Sequence, residues 1–398
     1  MKYKKYKRIF MIVMDSLGIG EMKDAVNYGD TNTNTFVHIS QKCNGLNIPT
    51  LNSLGLYDLD SRILGTFKVD HPHSYVCKGK EASLGKDTMT GHWEMMGIKT
   101  TKPFVTFTDT GFPPELMEEL AKRTGKKLIG NYSSSGTEII KVLGEEQTRD
   151  GSLIIYTSAD SVLQIAANTA SVPLNELYRC CAIARELCMK EEWYVGRVIA
   201  RPFVGTNKDN FKRTSDRHDY ALSPSGYTYM ETLKDHHLEV SCIGKINDIF
   251  NGVGVTKTQK TVSNDDGMVK TIKEAQIDFK GLCFINLVEF DSEYGHRRNP
   301  LGYGKAIEAF DARLKELLTY LKEDDLLIIT ADHGNDPTHI GTDHTREMVP
   351  MIFYSKGIEK GTKLEDRNSF ADMGRTIIEN FNLEKKDNQI GEVIAELL

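Results

Sequence analysis

The chain has 398 residues, enough for two or three domains of ordinary size. Hydrophobic residues make up 39% and charged residues 27%, a globular balance that excludes wholesale disorder. Fifty basic side chains against fifty-six acidic ones leave a net charge of −6, which gives no support to a nucleic-acid or anionic-membrane partner.

In chain order, the first feature is the apolar run Ile9–Met14, preceded by Lys2, Lys4, Lys5, Lys7 and Arg8 and ending on Asp15. A secretory signal needs a longer apolar segment and a small-residue cleavage site, so the run reads as the first strand of a cytoplasmic protein. No stretch approaches the roughly 18 apolar residues of a membrane helix. Three later runs repeat the pattern: Leu153–Tyr156 leads to Asp160, Cys283–Phe290 runs into Asp291, and Leu326–Thr330 leads to Asp332. Continuous apolar runs of this kind fit strands buried on both faces, as in a parallel sheet.

Helical patterns lie between them. Pro113 and Pro114 open a helix closed by Gly125, and Leu177, Cys181, Ala184 and Cys188 make a second stripe. Trp193–Ala200 reads as a strand, and Ile307, Phe310, Leu314, Leu317 and Leu321 mark a core-facing helix. The alternation points to an α/β fold. Turn-like breaks at Thr100–Pro103 and Ser223–Gly226 mark residues 103–221 as an insert in a core made of 1–102 and 222–398. The seven cysteines are odd in number and lack CxxC spacing, so they read as small apolar fillers in a reducing compartment.

In open α/β sheets, ligands bind outside the carboxyl ends of the strands, which would set Asp15, Asp291 and Asp332 along one edge. A lone aspartate there ordinarily caps the next helix. Three together would raise one another's pKa, and a divalent cation removes that cost. His296, His333 and His344 follow these aspartates closely and add imidazole ligands. The mixed oxygen and nitrogen set suits Mn²⁺, Fe²⁺, Co²⁺ or Zn²⁺ better than Ca²⁺, and paired cations are the usual clamp for displacement at phosphorus. His92 and His339, read singly, are structural. In Gly85-Lys86-Asp87-Thr88-Met89-Thr90-Gly91-His92-Trp93-Glu94, Asp87 or Thr88 can cap a short helix. Thr88 is also a candidate nucleophile, because helix amides favour phosphate and a metal can lower the pKa of its hydroxyl. Arg197 and Arg201 lie on one face of a predicted strand, about 13 Å apart, as solvated residues or as phosphate-binding forks.

Asp15-Ser16-Leu17-Gly18-Ile19-Gly20, the Gly85–Glu94 segment, Asp291-Ser292-Glu293-Tyr294-Gly295-His296-Arg297-Arg298, Ala331–His339 and Thr342–Glu347 together resemble the phosphopentomutase family of the alkaline phosphatase superfamily. The resemblance runs from about Ile9 to the C-terminus. It implies an alkaline-phosphatase-like α/β core with a mostly parallel sheet flanked by helices, plus a smaller inserted α/β cap. It implies that Asp291, His296 and His344 hold one Mn²⁺, that Asp15, Thr88, Asp332 and His333 hold a second, and that Thr88 carries the phosphoryl group. It also favours Arg197 with Arg213 as the clamp on the sugar phosphate, Ser158 and Asp160 on the ribose hydroxyls, and Lys245 as a phosphate contact from the core.

The implied activity interconverts ribose 1-phosphate and ribose 5-phosphate, and their 2-deoxy counterparts, in nucleoside salvage and catabolism. It runs through phosphothreonine and a 1,5-bisphosphate, and is primed by a sugar bisphosphate such as glucose 1,6-bisphosphate or ribose 1,5-bisphosphate. Pentose phosphates are then the partners, with no nucleic acid, membrane or protein partner implied. Glu289 and Glu293-Tyr294 depart from the family pattern at positions that are not expected ligands. The rivals are a cofactor-independent phosphoglycerate mutase, which uses a serine nucleophile in another motif, a phosphatase or phosphodiesterase, and a non-catalytic metal-binding regulatory protein.

Overall fold

Strands whose side chains are apolar on both faces need helices on both sides, and the alternation along this chain supplies them. The computed structural model describes residues 4–158 and 160–398. They form two compact units, one of residues up to Lys102 with Ser223–Leu398 and one of Pro103–Leu222. The larger unit opens with strands β1 (Arg8–Met14) and β2 (Ser74–Gly79). The smaller unit holds β3 (Leu128–Ser133), β4 (Leu153–Thr157), β5 (Val162–Asn168), β6 (Arg197–Val204), β7 (Lys212–Arg213) and β8 (His218–Ala221). The larger unit resumes with β9 (Glu239–Ile243), β10 (Lys257–Gln259), β11 (Gly281–Leu287), β12 (Asp325–Thr330) and β13 (Val349–Tyr354).

The larger sheet has the order β10-β9-β11-β1-β12-β13-β2, parallel from β10 to β12, with β13 antiparallel to both neighbours. Every residue of β1, β11 and β12 is buried. Met14 pairs with Leu287 and Val13 with Thr330, so the three central strands end level and release Asp15, the Asp291 turn and Asp332 at one edge. At the opposite edge, buried Arg8 closes the start of β1 on Asp325 with two bonds, 2.8 Å from Nε and 2.5 Å from Nη2. Helix Pro300–Tyr320 buries the expected stripe of Ile307, Phe310, Leu314 and Leu317.

Two expected boundaries move for tertiary reasons. The strand read as far as Phe290 ends at Leu287. Glu289 and Asn264 exchange bonds there, Asn264 N to Glu289 Oε2 at 2.6 Å and Glu289 N to Asn264 Oδ1 at 3.0 Å, and the chain turns into a π-helical turn, Phe290–Gly295. The strand read from Trp193 begins at Arg197, where pairing with Val162 starts, while Trp193 itself is buried in the core.

The smaller sheet has the order β3-β4-β5-β6-β7, with β8 also paired to β6. It is mixed, since β4 runs antiparallel to β5 and β6 antiparallel to β7 and β8. The apolar run at Leu153–Tyr156 thus reflects helices on both faces and not an all-parallel sheet. Helices Pro114–Thr124 and Leu174–Leu187 cover one face through Leu116, Leu120, Leu177 and Ala184, and helix Gly136–Asp150 covers the other. The cysteines are free thiols, and Cys180, Cys181 and Cys188 fill this core as small apolar side chains. Among the described residues, no helix is long and apolar enough to cross a membrane.

Candidate metal centre

The carboxyl edge of β11, β1 and β12 gathers seven side chains of the larger unit. Asp15 Oδ1 and Asp332 Oδ2 stand 3.6 and 3.4 Å from His333 Nε2, and Thr88 Oγ1 stands 3.2 Å from the same nitrogen. Beside them, Asp291 Oδ2 lies 3.0 Å from His296 Nε2, and His344 Nε2 lies 3.1 Å from His296 Nε2 and 3.5 Å from Asp291 Oδ1. The rings of His333 and His344 stack at 3.9 Å, which joins the two clusters. His333 Nδ1 faces the Gly334 carbonyl at 3.0 Å and His296 Nδ1 faces that of Thr342 at 2.6 Å. A ring nitrogen facing a carbonyl carries a proton, so in the neutral imidazole it is Nε2 that offers its lone pair to a cation.

Thr88 is the first residue of helix Thr88–Met95, and Asp87 caps it by accepting from Thr90 N at 3.1 Å. The segment is therefore both a capped helix start and the mount of a hydroxyl at the centre. A Cβ on Gly91 would collide with the Asp332 carbonyl, so glycine lets this helix approach the aspartate. His92 is buried on the same helix, with Nδ1 2.8 Å from the Thr88 carbonyl and 3.2 Å from an Asp332 oxygen. Ser16, at φ 69°, turns its amide onto Asp332 Oδ1 at 3.0 Å. Lys245 is close enough for its charge to act on Asp15.

In the smaller unit, Ser158 follows β4, and Asp160 Oδ2 accepts from Arg197 Nη2 at 3.0 Å. Arg213 lies elsewhere. It pairs with Phe203 at the far end of β6 from Arg197, about 20 Å away at the strand rise of ~3.3 Å per residue.

The profile of the Metalloenzyme superfamily matches residues 7–385. A phosphopentomutase of Clostridium tetani is 57% identical over 397 residues, 99% of this chain and 100% of that one. The chain belongs to the phosphopentomutase family. A phosphopentomutase of Clostridium botulinum is 56% identical over 395 residues, again 99% and 100% of the two chains. In fold alone, the chain is similar to the phosphoglycerate mutase of Leishmania mexicana, with a TM-score of 0.50 at 13% identity over 99% of each chain. The fold is the expected alkaline-phosphatase-like α/β arrangement, and the chain is an enzyme that uses divalent metal.

The side chains of this phosphopentomutase-family centre fit such ions. Asp15 Oδ2 takes a bond from Asn286 Nδ2 at 2.7 Å and Asp332 Oδ1 takes the Ser16 amide. Their other oxygens, Asp15 Oδ1 and Asp332 Oδ2, are buried and have no hydrogen-bond partner of ordinary geometry among the described residues, although His92 Nδ1 stands 3.2 Å from Asp332 Oδ2. Both orphaned oxygens face His333, and burial of unpartnered charge is costly unless a cation meets it. Burial, then the facing carboxylates of Asp332 and Asp291, pushes the Asp15 carboxyl well above the usual range. Asp291 is also buried, but His296 and His344 hold it well below. Divalent cation should therefore bind with release of protons and stabilise the fold by about 2.7 kcal/mol at a hundredfold excess over Kd, which raises the unfolding midpoint. Differential scanning calorimetry with and without EDTA measures this, and an unchanged midpoint would refute it.

Several supporting residues carried no periodic signal. Asn286 stands alone as a polar residue in an apolar strand, and His92 follows Thr88 at helical spacing. Those were the only cues. Asn335 Nδ2 orients Asp291 Oδ1 at 2.7 Å. Buried Glu347 accepts from Thr35 N, Thr35 Oγ1 and Thr345 Oγ1 at 2.9, 2.7 and 2.7 Å, tying the His344 loop to the first helix. Its burial pushes the carboxyl up to about 7 despite those bonds. Of the departures from the family pattern, Glu289 bonds Asn264, Glu293 pairs with Arg297 and Tyr294 packs near Tyr303.

Proposed function

We propose that the chain interconverts ribose 1-phosphate and ribose 5-phosphate, and their 2-deoxy counterparts, through phosphorylated Thr88. The observation that carries this reading is a threonine hydroxyl 3.2 Å from His333 Nε2, at a helix N-terminus, inside two buried Asp/His clusters. In this reading Asp291, His296 and His344 hold one Mn²⁺, and Asp15, Thr88, Asp332 and His333 hold the other. When bound, the cations supply charge for the nonbridging phosphoryl oxygens and lower the pKa of the Thr88 hydroxyl.

Phospho-Thr88 presents phosphorus to the 5-hydroxyl of ribose 1-phosphate. The new O5–P bond forms as the P–Oγ1 bond breaks, and the O5 proton leaves. The resulting 1,5-bisphosphate then offers its other phosphoryl group, so that Thr88 Oγ1 regains phosphorus and O1 regains a proton. The sum is an isomerisation that consumes neither water nor a second substrate. A sugar bisphosphate, glucose 1,6-bisphosphate or ribose 1,5-bisphosphate, would phosphorylate Thr88 at the outset. The amides that open helix Thr88–Met95 favour the phosphate. The smaller unit would select the sugar, with Arg197 on phosphate and Ser158 and Asp160 on hydroxyls, and Lys245 would meet phosphate from the larger unit, while Arg213, a strand's length from Arg197, would lie apart from that clamp.

A ³¹P NMR time course tests the reading, using Mn²⁺-loaded protein, ribose 1-phosphate and a trace of glucose 1,6-bisphosphate. Growth of ribose 5-phosphate is expected. Free phosphate in its place would make the protein a hydrolase, and no turnover would leave a non-catalytic metal-binding protein.

A further inference from the structure

Arg298 stands two residues after His296. Its backbone adopts φ 51°, a left-handed conformation that a residue other than glycine keeps only where its surroundings enforce it. Four neutral oxygens hold its side chain. Nε donates to the Gly341 carbonyl at 2.5 Å, Nη1 to the Gly295 carbonyl at 3.0 Å and to Asn335 Oδ1 at 2.5 Å, and Nη2 to the Asp343 carbonyl at 3.1 Å. None of the four is a carboxylate, so these bonds fix geometry and do not neutralise charge.

The same bonds reach each member of the Asp291, His296 and His344 set through one intermediate. Gly341 and Asp343 flank Thr342, whose carbonyl lies 2.6 Å from His296 Nδ1, so holding both neighbours fixes the group that orients the His296 ring. Asp343 precedes His344 and takes its amide on Oδ1 at 2.8 Å. Asn335 receives Arg298 on Oδ1 and donates Nδ2 to Asp291 Oδ1 at 2.7 Å, so the guanidinium decides which way that amide faces. A Cβ on Gly295 would lie 2.8 Å from Asn335 Nδ2, and glycine leaves the amide its room. Asp15, Asp332 and His333 follow closely on buried β1 and β12, and Asn286, the Ser16 amide and the Gly334 carbonyl orient them instead. Charge alone would act in the opposite sense. Burial lowers the Arg298 pKa against the carboxylates of Asp336, Asp343, Asp291 and Asp30, and a guanidinium stays protonated regardless. A fixed positive charge beside these aspartates repels an incoming cation.

We propose that Arg298 is the positioning residue of the Asp291–His296–His344 site, and that its planar fork raises the affinity of that site for a divalent cation without acting on the Asp15–Asp332–His333 site. The division into two ligand sets is that of the function proposed above, and the inference rests on it.

The test is isothermal titration of Mn²⁺ into the full chain, stripped with EDTA and dialysed, read beside electron paramagnetic resonance. The natural chain should bind two Mn²⁺ and show the spectrum of a magnetically coupled pair at two equivalents. Arg298→Gln and Arg298→Lys should each keep one site within about threefold and weaken the other roughly ten- to hundredfold, the usual cost of removing a group that orients a metal ligand. At two equivalents both variants should show one isolated Mn²⁺ with the remainder free in solution. Their kcat should return as Mn²⁺ is raised, with KM for ribose 1-phosphate little changed. Arg298→Lys keeps the charge and most of the volume, so the test stands if the glutamine variant misfolds. Tighter binding in Arg298→Gln is what a purely electrostatic role would give, and it would overturn the proposal. So would natural affinity in Arg298→Lys, equal weakening of both sites, or the same loss in Arg297→Gln, which removes an exposed neighbouring cation paired with Glu293. A natural chain that binds a single Mn²⁺ would overturn the ligand sets and the inference together. Two sites that respond as stated in a chain without mutase turnover would keep the inference and discard the function.

Discussion

Thr88→Ala should abolish interconversion of ribose 1-phosphate and ribose 5-phosphate, with a fall in kcat on the order of 10⁵-fold or more, because a nucleophile lost from a preorganised site leaves only the surrounding electrostatics. The fold should survive. Thr88 sits at the first position of its helix, the Asp87 cap bonds Thr90 and not Thr88, and alanine is at least as good a helix former. In the proposed ligand set Asp15, Asp332 and His333 would still hold the cation, so metal content should change little. Thr88→Ser is the informative partner. It keeps the hydroxyl near His333 but loses the branched Cβ that restricts χ1, so it should retain phosphorylation and lose roughly tenfold in rate. Intact-mass spectrometry after incubation with glucose 1,6-bisphosphate reads the covalent step directly. One phosphoryl group should appear on the natural chain and on Thr88→Ser and none on Thr88→Ala. Turnover within tenfold of normal in Thr88→Ala would place the nucleophile elsewhere.

The part of this centre that could be read without coordinates was the part that depends on strand order. Aliphatic runs ending on Asp15 and just before Asp332 become neighbouring parallel strands, and parallel strands must deliver their carboxyl ends to one edge. Side-chain partners set by tertiary contact could not be read this way. Asn264 ends β11 early by bonding Glu289, and nothing within the run Cys283–Phe290 announces it. In the smaller unit, apolar runs buried under helices on both faces look alike whether their neighbours are parallel or antiparallel, so the β4–β5 pairing was not legible. The position of Arg213 depends on a two-residue strand, too short to carry any period. Resemblance associated it with Arg197, and the register of β6 puts a strand's length between them.

A second large effect is expected at Arg346, which sequence reading left inside a motif without a role. Its side chain is buried, and it grips the segment leading to Thr88. Nη1 donates to Glu81 Oε2 and to the Gly85 carbonyl, each at 2.5 Å, and Nη2 donates to the Ser83 carbonyl at 2.9 Å and to Asp24 Oδ2 at 3.0 Å. Arg346→Met fills much of the same volume but strands three backbone carbonyls, those of Glu81, Ser83 and Gly85, and leaves the Glu81 carboxylate buried without its cation. Breaking a buried pair from one side costs about 3–5 kcal/mol, far above the usual surface substitution. The loss should depend on pH. Burial already pushes Glu81 well above its ordinary value of 4.5, with Arg346 opposing, so removing the arginine raises it further. A carboxyl whose folded pKa exceeds its unfolded one binds more protons in the folded state, and stability then falls as pH rises above about 4.5. The deficit should be larger at pH 8 than at pH 5 in urea unfolding curves. Arg346→Met/Glu81→Gln should recover the pH-dependent part but not the part owed to the carbonyls, and Arg346→Lys should recover little, since one ammonium cannot serve four acceptors held in a fork. A deficit below about 1 kcal/mol that is flat with pH would mean that the segment before Thr88 is held by its own turns. In that case the same variant would leave kcat intact, whereas a segment held by Arg346 should lose kcat more than KM as the nucleophile drifts from His333.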